Sequence, residues 1–344
     1  MYKGIIRPIL FLLQPETVHH LVVTFVKIFF HIPGIKSLLG SLYKVRHEKL
    51  QREVFGLKFD NPVGLAAGFD KNAWFFKQFS AFGFSFIEVG TVTPVGQPGN
   101  PRPRSFRLSK DKALINRMGF NNNGASAVAR RLRNRQTNII IGGNLGKNTA
   151  TPNERAVEDY AAVFEELYEV ADYFVVNVSC PNITDLSHLQ DREQLEGIFS
   201  RLSSLRSVKY TRKPILVKIS PDLNNIQIDD VIDLVNQYDM DGIIATNTSI
   251  TRDGLSSDPA LVDAIGRGGL SGKPIRDRST DIIRYIHDKT KGELPIIGVG
   301  GIMSPEDALE KIDAGASLVQ IYTGFIYEGP SIVRKINKAI LENS

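Results

Sequence analysis

A chain of 344 residues has room for about two average domains, or for one (β/α)8 barrel of roughly 250 residues with an addition. Its 42% hydrophobic and 23% charged residues exclude wholesale disorder and a polytopic membrane protein, while a single cysteine, Cys180, excludes an internal disulfide and fits a reducing compartment. The net charge of +5 is uneven: residues 1–52 hold eight Lys and Arg against Glu16 and Glu48 (+6), and the other 34 basic and 35 acidic residues sum to −1, which argues against a nucleic-acid partner.

The basic segment begins with two apolar blocks, Ile9 to Leu13 and Leu21 to Val26, split by Pro15 and Glu16. Each is too short to span a bilayer, and no signal-peptide cleavage site follows the first. The pattern predicts an amphipathic helical hairpin, roughly residues 3–13 and 15–31, with Pro15 opening the second helix and His31-Ile32-Pro33-Gly34 ending it. Two short helices cannot bury their apolar faces on each other alone. The faces either dock on the body or form a monotopic membrane anchor, with Phe11, Phe25, Phe29 and Phe30 entering lipid and the basic residues meeting head groups. The organisation expected is a helical segment over 1–45 and a catalytic domain over 46–344.

From residue 54, runs rich in Val and Ile recur with helical stretches between them: 61–66, 84–91, 138–144, 173–179, 214–220, 242–247, 295–300 and 317–322. Eight continuous apolar runs suit parallel strands covered on both faces and predict an α/β fold, a (β/α)8 TIM barrel. A doubly wound sheet is disfavoured because no GxGxxG follows the first strand. The long stretches 94–120 and 249–274 are expected to form walls over the active-site face, with Gly268 to Gly272 as a flexible element.

Polar residues sit at the strand ends: Lys71, Glu88 and Thr91, Asn144, Asn177 and Cys180, Lys218, Thr246 and Asn247. Amides donate and accept, which suits a ring edge alternating C=O and N–H, such as a pyrimidine or an isoalloxazine. The last two units carry Ile297-Gly298-Val299-Gly300-Gly301 and Ile321-Tyr322-Thr323-Gly324, where exposed backbone N–H groups make the usual phosphate site of such barrels. A phosphate tail with an amphoteric ring points to flavin mononucleotide (FMN), with Lys218 near its pyrimidine edge. Cys180 follows a strand in a loop constrained by Pro181, where a modestly tuned thiol can act as a base. The six histidines show no metal-ligand spacing, so no metal is expected.

Five segments together identify a resemblance: Gly64-Leu65-Ala66-Ala67-Gly68-Phe69-Asp70-Lys71, Glu88 to Pro94, Gln97 to Pro101, Ile115-Asn116-Arg117-Met118-Gly119-Phe120-Asn121, and Ala245-Thr246-Asn247-Thr248. The chain resembles dihydroorotate dehydrogenase over essentially its whole length, and its N-terminal hairpin resembles the class 2, quinone-using, membrane-associated branch. The resemblance implies that Ala67, Gly68, Thr91, Asn144, Asn177, Lys218, Thr246, Gly272, Gly301, Tyr322 and Thr323 hold FMN. Lys71, Asn116 to Phe120 (Asn116, Arg117, Met118, Gly119, Phe120), Asn177, Asn182, Asn247 and Thr248 would bind dihydroorotate. A quinone would arrive near His19, Arg107 and Tyr322, and the protein would sit peripherally on a membrane, the cytoplasmic face of a bacterial inner membrane, with no obligatory protein partner.

One departure stands out. Where class 2 has a serine base this chain has Cys180, the residue type of class 1, and Ser179 is one position too early, so the base is expected to be Cys180. The loop from Asn182 to Leu189 would then be a lid. Rival readings are a soluble dihydroorotate dehydrogenase using fumarate or NAD, against which the hairpin argues, and a tRNA dihydrouridine synthase, against which the −1 body argues. A non-catalytic flavin-binding module would leave Lys71 and Cys180 without a purpose.

Overall fold

The computed structural model describes residues 2–178 and 192–343. Ser179, Cys180, Asn182 and the expected lid lie outside the described residues.

The eight apolar runs form a closed, all-parallel barrel in sequential order. Its strands are β1 (Val63–Asp70), β2 (Phe86–Val92), β3 (Ile140–Leu145), β4 (Tyr173–Asn177), β5 (Ile215–Ile219), β6 (Gly242–Ala245), β7 (Ile296–Val299) and β8 (Leu318–Ile321). Nearly every strand residue is buried, because inward side chains fill the barrel and outward ones meet the surrounding helices. The floor is aromatic: Phe86 packs edge-on to Phe59 at 5.2 Å and to Tyr173 at 6.5 Å. Gly64 and Gly142 make room for those rings, since a Cβ on either would come within 2.3 Å of the Phe86 or the Tyr173 ring atoms. Each such ring contributes about 2–3 kcal/mol of burial, and Gly64→Ala would break the packing. With the floor closed, the open end of the barrel is the end at which the strands terminate.

The helices that clothe the barrel include α1 (Ala125–Arg133), α2 (Ala156–Leu167), α3 (Arg192–Ser207), α4 (Asn225–Gln237), α5 (Arg276–Lys289), α6 (Pro305–Asp313) and α7 (Ser331–Glu342). Their starts are written locally. At α4 the Asn224 side chain and Gln227 cap each other reciprocally, and at α6 the Ser304 hydroxyl accepts from the Asp307 amide with Pro305 in the first turn.

Both long stretches are structured. Ser105–Leu108, Ala113–Asn116 and Gly269–Gly272 build a three-stranded antiparallel sheet over the mouth, and Pro259–Ile265 is a helix. The expectation that Gly268 to Gly272 is a flexible element is therefore corrected. Leu270 and Ser249 exchange backbone hydrogen bonds of 2.7 and 3.0 Å, and the positive φ of Gly272 (99°) lets the strand pass close to Lys112.

The N-terminal segment differs in detail from the predicted hairpin. It comprises a π-helical turn (Tyr2–Ile6), a short helix (Arg7–Phe11), a long one (Pro15–Phe29) and an unanticipated third (Ile35–Tyr43). The chain restarts after Pro33 because Gly34 takes a positive φ of 85°. Phe11 and Phe30 turn toward the body, against Tyr327 at 5.2 Å and Phe82 at 6.5 Å, whereas Phe25 and Phe29 point outward. Ile9, Leu12, Leu21, Phe25, Ile28, Ile32, Leu38 and Leu42 are also exposed. Among the described residues no helix is long and apolar enough to cross a membrane.

Candidate active site

A cavity opens at the carboxyl ends of the strands, as the barrel geometry requires. It is lined by Ala67 and Gly68 from β1, Thr91 from β2, Asn177 from β4 and Lys218 from β5. Thr246 follows β6, and Gly301, Tyr322 and Thr323 follow β7 and β8, with Gly272 supplied by the mouth sheet. Lys71, Asn116, Met118, Gly119, Phe120, Asn247 and Thr248 complete the wall. Among the described residues, two of those predicted to hold flavin or substrate lie elsewhere. Asn144 sits fully buried behind the wall, and the Arg117 guanidinium is drawn outward to the carbonyls of Ile265 and Pro103 and over the Phe106 ring at 4.9 Å. Arg117 therefore shapes the rim and does not line the cavity.

Beneath the cavity lies a connected polar layer. Asn177 donates to Thr91 Oγ1 at 2.8 Å and to Asn144 Oδ1 at 3.2 Å, and Thr91 donates to the same oxygen at 2.5 Å. Asn247 donates to Asn177 Oδ1 at 3.2 Å. The layer is anchored by Glu88, fully buried, which accepts from Asn144 at 2.6 Å and from Gln320 at 2.7 Å and lies 3.7 Å from Lys218 Nζ. A buried carboxylate with this many donors fixes amide orientations, since a flipped amide would leave buried groups unpaired. Gln320 was missed from the sequence because it interrupts the apolar run Leu318 to Ile321; a polar residue inside a buried strand was the available signal.

The wall has two further chemical features. Gly300 and Gly301 take positive φ values of 127° and 71°, and any Cβ there would collide with Ser279 and Arg276 at the start of α5. The backbone alone can approach a ligand at this point, as an anion-binding turn demands. Lys71 donates to the Gly68 carbonyl at 2.6 Å while facing the cavity, and the neighbouring Asp70 is turned inward, accepting from the Trp74 and Phe75 amides at 2.8 and 2.9 Å. Burial raises the pKa of Asp70, and those amides oppose the rise. Tyr322 is pushed up to about 12 by burial, so its phenol stays protonated. The donor set of Lys71, Lys218, amides and glycine N–H groups suits an anionic ligand with an amphoteric ring and a phosphate tail.

An aromatic path leads from this cavity to the N-terminal helices: Tyr322 to Phe69 at 5.4 Å, then Phe69 to His19 at 5.0 Å. Burial drives His19 down to about 3, assisted by the charge of Lys71, so the imidazole is neutral at physiological pH. Arg107 does not join them. It donates to the Leu13 carbonyl at 2.5 Å and covers the Phe11 ring at 4.5 Å.

The dihydroorotate dehydrogenase family matches residues 49–343. A protein of Christiangramia forsetii named dihydroorotate dehydrogenase (quinone) is 54% identical over 342 residues, covering 99% of both chains. One of Thermosynechococcus vestitus with the same name is 49% identical over 357 residues, covering 99% of this chain and 96% of its own. The crystal structure of DHODH from Eimeria tenella in complex with ferulenol is similar at a TM-score of 0.85 with 36% identity, covering 96% of this chain and 91% of that one.

Proposed function

The chain belongs to the dihydroorotate dehydrogenase family, and from that premise we propose that it oxidises dihydroorotate to orotate in pyrimidine biosynthesis, with FMN as cofactor and a membrane quinone as acceptor. The observation that carries this reading is the convergence, in one cavity, of Lys71, Asn116, Asn177 and Asn247 with Lys218 and the Gly300–Gly301 turn. Lys71 meets the substrate carboxylate, and the three asparagines and Thr248 satisfy the ring amides, which would otherwise be buried unpaired. Cys180 takes the proton from C5 as a thiolate, and the C5–C6 double bond forms as the C6 hydride departs. When bound, FMN would supply the two-electron acceptor for that hydride and the electron donor to the quinone. Ala67, Gly68, Thr91, Thr246, Gly272, Tyr322 and Thr323 would enclose it and Gly301 would hold its phosphate, while Asn144 orients Thr91 and Asn177 from behind. Lys218, held beside Glu88, would place its positive charge against the bound ring.

Residues 1–45 are the quinone-access and membrane segment of this reading. The outward Phe25, Ile28 and Phe29, with Lys27 and Lys36 nearby in sequence, suit a headgroup boundary and support a peripheral membrane seat, in this reading on the cytoplasmic face of a bacterial inner membrane. Neutral His19 presents a polar, uncharged edge where an apolar quinone can approach Tyr322, with Arg107 holding the turn at Leu13. The test is anaerobic mixing with dihydroorotate while flavin absorbance near ~450 nm is followed, then addition of a short-chain quinone. Bleaching that recovers on quinone is expected. Bleaching reversed only by fumarate or NAD overturns the acceptor, and flavin left oxidised overturns the substrate.

A further inference from the structure

Lys311 on α6 has a fully buried side chain, yet among the described residues its ammonium is bonded only to neutral oxygens. It donates to the Arg276 carbonyl at 3.3 Å, Ser279 Oγ at 3.2 Å and Thr280 Oγ1 at 3.1 Å, all within the first five residues of α5. Among the described residues no carboxylate lies within ion-pair distance of it. The location is doubly unfavourable for a cation, because burial disfavours the charge and the amino end of a helix carries partial positive charge of its own. The same turn of α5 abuts the cavity. Ser279 donates to the carbonyl of Val299 at 2.6 Å, and Val299, Ile275, Gly300 and Gly301 all line the wall. Lys311 itself packs behind Gly298, where a Cβ would meet its own Cβ at 3.4 Å.

A buried cation and a helix amino terminus thus lie behind one glycine turn, and each favours an anion bound at that turn. We propose that Lys311 is a positioning residue for the cofactor phosphate: it braces the first turn of α5 against the Gly300–Gly301 turn and adds positive potential there without touching the ligand. This rests on the FMN reading above. Burial lowers its pKa to about 8, with Glu310 and Asp307 opposing, so a bound dianion should draw a proton onto it in mildly alkaline solution. The charged groups around it are Arg276 and Asp277 on α5 and Asp307 and Glu310 on α6. Carboxylates and guanidinium groups ordinarily titrate well outside pH 7 to about 9.5.

The experiment titrates the flavin-free full-length chain with FMN and, separately, riboflavin by fluorescence quenching, in wild type and Lys311→Met. The variant should bind FMN about tenfold more weakly and riboflavin within about twofold of wild type. In wild type the preference for FMN should fall above about pH 8, while the variant's preference stays flat. This second series needs no substitution if the variant fails to fold. Equal weakening for both flavins, unchanged FMN affinity, or a wild-type preference independent of pH would overturn the role of Lys311. Flavin binding with no preference for FMN in wild type would overturn the phosphate reading of the glycine turn, and absence of any flavin binding would overturn the cofactor itself.

Discussion

The attachment of the N-terminal helices to the barrel can be probed at one ion pair. Glu16 lies in the first turn of the helix Pro15–Phe29, and its carboxylate accepts from Arg104 Nη2 at 2.8 Å and Nε at 3.2 Å and faces Arg102 at 3.1 Å. The second arm of Arg104 donates to the carbonyls of Pro98 and Asn100 at 2.6 and 2.9 Å. Breaking a fully buried pair costs about 3–5 kcal/mol. Here the Arg104 side chain is 6% exposed and that of Glu16 13%, and a glutamine keeps one acceptor oxygen. Glu16→Gln should therefore cost about 2–3 kcal/mol, or roughly 30- to 150-fold faster hydrogen exchange in the helix amides. Burial raises the pKa of Glu16, but the Arg104 hydrogen bond and the Arg104 and Arg102 charges outweigh it and hold it below the ordinary carboxylate value. The pair's contribution is thus fully present above about pH 4.5 and is lost as pH falls through the lowered folded-state pKa. Acid should remove protection from this helix in wild type and have little further effect in the variant. Exchange within about twofold of wild type at neutral pH would refute the reasoning.

Lys71→Ala should weaken orotate binding about 10- to 100-fold with flavin retained, as read by equilibrium titration; unchanged affinity would remove Lys71 from the carboxylate. Cys180→Ala should slow flavin reduction by dihydroorotate about 100- to 10,000-fold with flavin still bound, and substantial residual turnover would move the base elsewhere. Deleting residues 1–33 spares the helix Ile35–Tyr43, whose Tyr43 ring packs on Phe82 at 5.5 Å. That truncation should lose quinone turnover while dihydroorotate still reduces the flavin, and unchanged quinone rates would contradict the access role.

The barrel was legible because its signal is local. Runs such as Phe174-Val175-Val176 and Ile243-Ile244-Ala245 read as buried strands whatever surrounds them, and the eight predicted runs overlap the eight strands. Most cavity residues were legible for the same reason, since a polar residue ending an apolar run at the carboxyl end of a barrel strand must face the mouth. What escaped depends on partners distant in sequence. The strand Gly269–Gly272 exists because Ala113–Asn116 offers it an edge, and four residues with two glycines carry no periodicity of their own. Arg117, one residue past the strand Ala113–Asn116, sits between cavity residues in the chain, but its guanidinium is held outward by the Ile265 carbonyl, a partner 148 positions away. The inward turn of Phe11 depends on Tyr327, more than 300 positions away, and amphipathic periodicity alone could not assign that face.

Glu16 and Glu88 do related work at different depths. Glu88 joins β2 to β3 through Asn144 and to β8 through Gln320, so one carboxylate fixes donors across the polar layer under the cavity. Glu16 fixes Arg104, which grips Asn100, and Asn100 donates to the Arg117 carbonyl at 3.0 Å and, through its amide, to the Met118 carbonyl at 3.1 Å. The backbone that carries Met118, Gly119 and Phe120 on the cavity wall is therefore continuous, through polar contacts, with the helix that bears His19. Those contacts have direction and register, whereas the outward apolar face of that helix has neither. The same helix is thus held specifically on the side facing the cavity and left without directional contacts on the side facing away, the division that the proposed quinone-access and membrane role calls for.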